Sequence, residues 1–239
     1  MHQSIASRQA HRLRPFTKRL AKALAGSLTL VLAFAAQGIS AQESGKEVSA
    51  RDVLGQTTER VLNVIEEARS YVDEDPERYY QEVHEVLDPF VDYSGFARGV
   101  MGQYATRARY RSLDEAGRTK LRDQVERFTE TMRVGLIKTY SKGLLAFGGS
   151  RVELEADDGA TSNPRRAQLR QLIYSDAPEP YVVIYSMAKN KEGSWLLRNL
   201  IVENVNLGQI YRSQFESAAR RFKGDLDAVI ANWSTEAPQ

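Results

Sequence analysis

The stretch Trp195-Leu-Leu-Arg-Asn-Leu-Ile-Val-Glu-Asn-Val-Asn-Leu-Gly-Gln-Ile-Tyr-Arg-Ser-Gln-Phe215 decides the fold. Its first part is apolar and β-branched, as a half-buried strand requires. The chain turns at Glu203-Asn-Val-Asn206 and enters a helix carrying Tyr211-Arg-Ser-Gln-Phe215. Working back from Trp195, residues 151–156, 165–174 and 181–188 also alternate or run β-branched. Turn clusters separate them: Asp157-Asp-Gly159 with Asn163-Pro164, then 176–180, then 190–194. Connections this short, with no helix between strands, imply an antiparallel meander of about four strands.

Upstream of 149 the apolar period is helical. Ser49 is placed to cap a helix running to about 71, whose stripe is Val53, Val61, Val64, Ile65 and Ala68. Asp73-Glu-Asp-Pro76 ends that segment and opens a short helix over 77–87, which Asp88-Pro89 stops. A further helix is expected over 93–108, with Phe96, Val100, Met101 and Tyr104. Ser112-Leu-Asp-Glu115 reads as a capping box for a long helix reaching about 145. Its apolar positions Leu121, Val125, Phe128, Met132, Leu136, Tyr140 and Leu144 step by three or four residues. Gly148-Gly149 closes this half, and two helices, about 207–220 and 225–233, finish the chain. Helices, then strands, then helices predict an α+β protein with helices packed on one face of a curved antiparallel sheet.

Residues 1–41 carry six Lys or Arg, no Asp or Glu, and a fourteen-residue uncharged run over 23–36 ending near Ile39-Ser-Ala41. That pattern reads as a secretory signal peptide, its apolar run too short for the roughly 20 residues of a membrane span. The remainder, 42–239, is expected to be a single domain: a mainly helical half over 42–148, the sheet over 149–205 and C-terminal helices over 206–239. Its charges are 27 basic against 31 acidic, so the net +2 of the full chain becomes −4. A mildly acidic protein lacks the one-sided positive field that duplex nucleic acid demands. With no Cys, disulfides and thiol chemistry are excluded, and His84 alone after 41 leaves no material for a multi-His zinc site. No cofactor is expected.

Trp195 to Phe215 closely resembles the W-(K)-(V)-x-D-V-x-V-E-G-V-S-L-…-N-Y-R-x-Q-F signature of the MlaC/toluene-tolerance family. Leu87-Asp-Pro-Phe-Val-Asp92 resembles that family's P-x-x-D segment, Ala97-Arg-Gly-Val-Met-Gly102 its A-R-x-V-L-G helix, and Thr139-Tyr140 its tyrosine-bearing long helix. Each motif is weak alone; their order and spacing carry the resemblance. Asn199 stands where the family usually has Asp, and Asn204 where it usually has Gly. The resemblance implies an NTF2-like cone, a curved antiparallel sheet packed on a long helix with an added helical subdomain, in a soluble periplasmic protein that carries phospholipid between the outer and inner membranes and so supports outer-membrane lipid asymmetry. It further implies two partners, an outer-membrane lipoprotein–porin complex and an inner-membrane ABC transporter complex with its substrate-binding subunit. No G-x-x-x-x-G-K-[ST] loop is present, so ATP would be used by the partner.

Such a carrier has an apolar cavity and no catalytic residues. Alternation puts Tyr181, Val183, Tyr185 and Met187 on one sheet face, and likewise Trp195, Leu197, Asn199 and Ile201. The intervening residues are apolar too, so both faces need cover or a ligand. Residues expected to line an acyl-chain cavity are Leu169, Ile173, Val183, Tyr185, Met187, Trp195, Leu197 and Ile201 from the sheet. The helices would add Val100, Met101, Phe128, Met132, Leu136, Tyr140 and Tyr211, methionines being adaptable to ligands of different length. Arg198 and Arg212 are candidates for a lipid headgroup or for structural ion pairs, Arg212 with Glu203. Alternative readings are a carrier of another lipid such as a hopanoid, a cone enzyme using Tyr185 or Tyr174 as donor, or a purely structural binding module.

Overall fold

Ser49 caps the first helix among the described residues, as expected. In the computed structural model, which describes residues 47–145, 151–155, 163–174 and 178–235, its hydroxyl accepts from the Asp52 amide and the Asp52 carboxylate accepts from the Ser49 amide, each at 3.1 Å. This reciprocal cap opens α1 (Ala50–Ala68). Asp75 caps α2 (Pro76–Leu87), with Pro76 at the first helical position where no amide donor is needed. Asp92 caps α3 (Tyr93–Met101) by accepting from the Gly95 amide at 3.0 Å. The expected signal peptide lies outside the described residues, as do the Gly148-Gly149 boundary and Asp157-Asp-Gly159.

Two helix boundaries differ from expectation. The helix expected over 93–108 stops at Gly102, whose φ of 55° a side chain would strain, and resumes after a 3-10 turn (Gly102–Ala105) as α4 (Arg107–Ser112). Arg212 packs within 3.0 Å of where a Cβ at 102 would lie. Nor is Ser112-Leu-Asp-Glu115 a capping box: Ser112 is the last residue of α4, and its hydroxyl donates back to the Arg109 carbonyl at 2.8 Å. The Asp114 carboxylate accepts from Gly117 instead, at 2.8 Å, and starts α5 (Glu115–Leu145).

The sheet runs in chain order, β1 (Arg151–Leu154), β2 (Arg166–Tyr174), β3 (Tyr181–Lys189), β4 (Trp195–Val202) and β5 (Val205–Asn206), every neighbour antiparallel. The turn expected at Glu203-Asn-Val-Asn206 is a tight hairpin at Glu203-Asn204, which joins β4 to β5. Glu203 and Asn204 both have positive φ, 49° and 66°, the pairing a two-residue hairpin needs. Asn accepts that conformation readily; Glu203 is held there as its carboxylate takes the Val182 amide. After the hairpin, Asn206 caps α6 (Leu207–Arg221), and Asp225 caps α7 (Leu226–Ala231). Asn199 now has a role: its carbonyl accepts from Gly208 and its amide donates to the Asn206 carbonyl oxygen, both at 3.0 Å. An Asp there would face that capping oxygen without a proton to share.

Among the described residues, apolar side chains form three clusters. The helical core holds Ala97, Val100 and Met101 of α3, Leu121, Phe128 and Met132 of α5, and Tyr211, Phe215 and Ala219 of α6, closed by α7. A second cluster joins α1 to the sheet, through Ala50, Leu54, Phe90, Leu169 and Met187. The third joins α1, α2 and the last turn of α5, through Ile65, Ala68, Tyr79, Val83, Leu144 and Leu145. The stripe of α5 therefore lies mainly on α3, α2, α7 and α4, while the main helical neighbours of the sheet are α6, α3 and α1.

The seam between α7 and α5 is ionic. Asp227 accepts from Gln124 and Lys120 at 3.0 Å each and from Arg127, and these partners hold its carboxyl down at about 2. A depressed carboxylate contributes stability above its unfolded value near 3.9, lost as pH falls towards 2. Its side chain is 38% exposed, so solvent screening reduces the contribution to on the order of 1 kcal/mol. Unfolding free energies of the wild type and Asp227→Asn from urea melts should differ by that amount at pH 6 and converge as the pH falls from 4 to 2.

Candidate functional site

Register decides what the sheet offers. Leu169 pairs with Tyr185 and Gln171 with Val183, while Tyr185 pairs with Leu200 and Val183 with Val202. A bulge between Ser186 and Met187 skips Arg198, so Met187 pairs with Leu197 and Ser186 with Asn199. One extra residue reverses the phase of β4. Trp195 and Leu197 therefore share a face with Leu200 and Val202. Asn199 and Ile201 belong to the other face, where Ile201 lies opposite Ile184. This corrects the expected grouping of Ile201 and Asn199 with Trp195 and Leu197, because unbroken alternation does not hold through the bulge.

The face carrying Leu169, Val183 and Met187 is the buried one, at 2%, 5% and 2% exposure. Leu54 of α1 and Phe90 cover its Met187 end, where Tyr185, Trp195 and Leu197 are half-buried. A polar chain crosses this apolar layer: Tyr185 donates to the Gln171 carbonyl oxygen at 2.7 Å, and the Gln171 amide donates to Thr58 Oγ1 at 3.0 Å. Burial pushes the Tyr185 phenol up, so it remains a neutral donor. Gln171 and Thr58 were missed by the sequence reading, although a lone polar residue at an inward-facing parity of β2 marks the former. Tyr185→Phe leaves the Gln171 acceptor buried without its donor. It should lower the unfolding free energy by about 1–2 kcal/mol, read from urea melts.

Beyond Gln171 the same face continues with Ile173, Leu200 and Val202, all half-buried. On the opposite face Leu172 faces Val182 and Ile184 faces Ile201, again half-buried, flanked by exposed Gln168 and Arg170. Both faces of the sheet thus carry apolar side chains that are covered only in part.

The helical candidates sit elsewhere. Val100, Met101, Phe128, Met132 and Tyr211 are at 0–1% exposure inside the helical core, among Phe215 and Trp233. Phe128 meets Phe215 at 4.9 Å and Trp233 at 5.1 Å, edge to face, a favoured aromatic geometry. Leu136 and Tyr140 are half-buried against the same cluster. The Tyr140 and Tyr211 hydroxyls are 3.1 Å apart, and Tyr211 donates to the Thr235 carbonyl at 3.2 Å. Desolvation first, and then the Tyr140 contact, raise the Tyr211 phenol. The expected single cavity lining is therefore divided between two clusters, and Phe215, Ala219, Val229 and Trp233 complete the helical one.

The two arginines are held differently. Arg198 pairs with Asp92, the carboxylate that also caps α3, so the bulge residue ties β4 to the start of that helix. Arg212 pairs with Glu216 on its own helix at 3.2 Å, not with Glu203, which is occupied by the Val182 amide. The tyrosines that an enzyme reading would use are engaged within the protein: Tyr185 with Gln171, and Tyr174 with Glu153 at 3.1 Å.

Comparison with known proteins adds three findings. A family model described as MlaC protein matches residues 55–235. The toluene tolerance protein Ttg2D of Pseudomonas putida is 28% identical over 215 residues, covering 88% of this chain and 89% of that protein. The fold is similar to that of a phospholipid-binding protein from Ralstonia solanacearum, solved in complex with a phospholipid. That similarity has a TM-score of 0.63 at 16% identity, over 77% of this chain and 93% of the other.

Proposed function

This chain belongs to the MlaC family, and from that premise we propose that it is a periplasmic phospholipid carrier, holding acyl chains between its sheet and helices and shuttling lipid between outer and inner membranes. The observation that best supports this reading is the divided interior. A domain usually has one contiguous core, with smaller satellites. Here the sheet and the long helix each pack chiefly on other elements, and apolar residues such as Leu200, Val202 and Ile173 are left half-covered. Half-covered apolar side chains of that kind can be covered by hydrocarbon chains. The phospholipid in the Ralstonia relative agrees with it.

The energetics favour a carrier over a store. Each methylene removed from water is worth about 0.8 kcal/mol, so a two-chain lipid does not escape into solvent. Between a bilayer and an apolar cavity the same methylenes change little in free energy, and the direction of transfer falls to the partners. Those partners are an outer-membrane lipoprotein–porin complex and an inner-membrane ABC transporter complex that uses ATP. The phosphate headgroup stays at the mouth, since burying its charge unpaired is costly. Export through the N-terminal signal places the protein between the two membranes.

Native mass spectrometry of protein prepared without detergent, with lipid extraction and vesicle-to-vesicle transfer of a fluorescent phospholipid, tests the reading. A one-to-one diacyl phospholipid adduct and accelerated transfer are expected. An empty protein that neither loads from vesicles nor speeds transfer would falsify it. A hopanoid adduct would keep the carrier and change its cargo.

A further inference from the structure

Residues 98–122 carry seven Lys or Arg against two Asp or Glu, within a 42–239 segment that is acidic overall, 27 against 31. This concentration of charge borders a groove of about 920 Å³ between α3, α4 and α5. Its floor is apolar, with Leu121, Val125 and Ala105, and its rim bears Arg98, Arg107 and Arg122. Arg98 donates to the Ser94 hydroxyl at 2.8 Å and Arg122 to the Thr119 hydroxyl at 3.0 Å. None of the three guanidinium groups has a carboxylate partner among the described residues. Glu130, at the far end, is already paired with Arg133, which leaves Glu126 as the one uncommitted anion of the lining.

We propose that this groove is a docking site for an acidic amphipathic helix of a partner protein. Its apolar side chains would cover the half-buried Ala105, Tyr110 and Val125, and its carboxylates would engage Arg107 and Arg122. Guanidinium is weakly hydrated and matches carboxylate geometry with two parallel donors, so an unpaired arginine rim selects acidic partners. Along α5 the lining runs from Leu121 to Glu130, about 14 Å at a helix's rise, room for two to three turns of a docked helix. An apolar floor beneath a charged rim is the geometry of helix-in-groove recognition. Shape argues against a lipid surface: insertion requires apolar side chains that protrude. The large exposed apolar residues among those described, Val48, Val134, Tyr181 and Val205, all lie outside the groove. No lining residue of the groove comes from the sheet, and the inference stands independently of the lipid-carrier reading.

The test uses protein from the full chain and a fluorescent twenty-residue helical peptide, with Leu at i, i+3, i+4 and i+7 spacing and Glu elsewhere. Its controls are the same peptide with Lys for Glu, and vesicles of phosphatidylglycerol. The expected result is saturable binding of the acidic peptide only, weakened at least tenfold in Arg107→Glu/Arg122→Glu, with amide protection confined to 94–130. Both substitutions are on the surface, and unchanged thermal melting confirms that the variant is folded. No saturable binding, equal binding by the variant, or protection elsewhere overturns the proposal. Vesicle binding that the double variant abolishes also overturns it, in favour of a membrane contact. Phospholipid loading is measured on the same samples and should be unaffected; its absence in wild type would strike the carrier reading and leave this one standing.

Discussion

Phe128→Ala should lower the unfolding free energy by about 3–5 kcal/mol, the range for deleting a fully buried aromatic ring. Phe128 has 0% exposure and is the ring around which Phe215 and Trp233 are arranged. Its removal loses both edge contacts and leaves a void that helices α3, α6 and α7 cannot all close on. Urea melts followed by circular dichroism measure this directly. A loss below about 1 kcal/mol would mean that the site collapses freely and that the helical core is looser than its burial implies. Loading with phospholipid, measured where the variant is still folded, separates the two clusters. If the cargo lies against the sheet, loading survives; if it reaches into the helical core, loading changes with stability.

The second large effect is expected at Gly135. A Cβ built there falls 2.6 Å from Thr235 Cγ2 and 2.8 Å from Thr235 Cβ, below any distance that packed carbons adopt. Gly135→Ala must therefore push the C-terminal segment away from α5. That segment supplies the Thr235 carbonyl, which accepts from Tyr211 and from Thr139 at 3.2 Å each. Trp233, two residues earlier, packs on Phe128 and Phe215. A destabilisation of about 2–3 kcal/mol is expected from this overpacking and the lost hydrogen bonds. Thr235→Gly in the Gly135→Ala background removes the clash and should recover part of it. Failure of that rescue would show that the glycine is needed for some other reason.

Much of this architecture is legible in the residues themselves. The period change near 149, the turn clusters and the cap at Ser49 place the helices and strands close to where they lie. What escaped reading was non-local. A break at Gly102 depends on Arg212 arriving from α6, over a hundred residues later. The true cap at Asp114 emerges only once Ser112 is known to end α4. The face assignment of Ile201 depends on a bulge that no alternating pattern announces, since Leu196, Leu197, Leu200 and Ile201 put apolar residues at both parities of β4. The long helix posed the hardest case. Its stripe from Leu121 to Leu144 says that it is buried, yet periodicity carries no address for the partner surface. Phe128 and Met132 look as suited to a cavity as to a core from the sequence; in the structure α6 and α7 close over them. The ion pair between Asp92 and Arg198 is of the same kind, with each residue unremarkable within its own segment.

The division of the interior also shapes how the protein fluctuates. Helix α5 contributes to two clusters at once, the helical core from Leu121 to Tyr140 and the α1–α2 cluster at Leu144 and Leu145. The sheet is joined to helix α1 by a separate, smaller set of contacts. Cooperative units in proteins follow such boundaries, and each opens with its own free energy. The amides of α6 and the middle of α5 should then exchange only on global unfolding, whereas those of α1 and β2 should exchange through a cheaper partial opening. Interior access for a large guest would in that case require no unfolding of the helical core, because the seam of least resistance runs along α1.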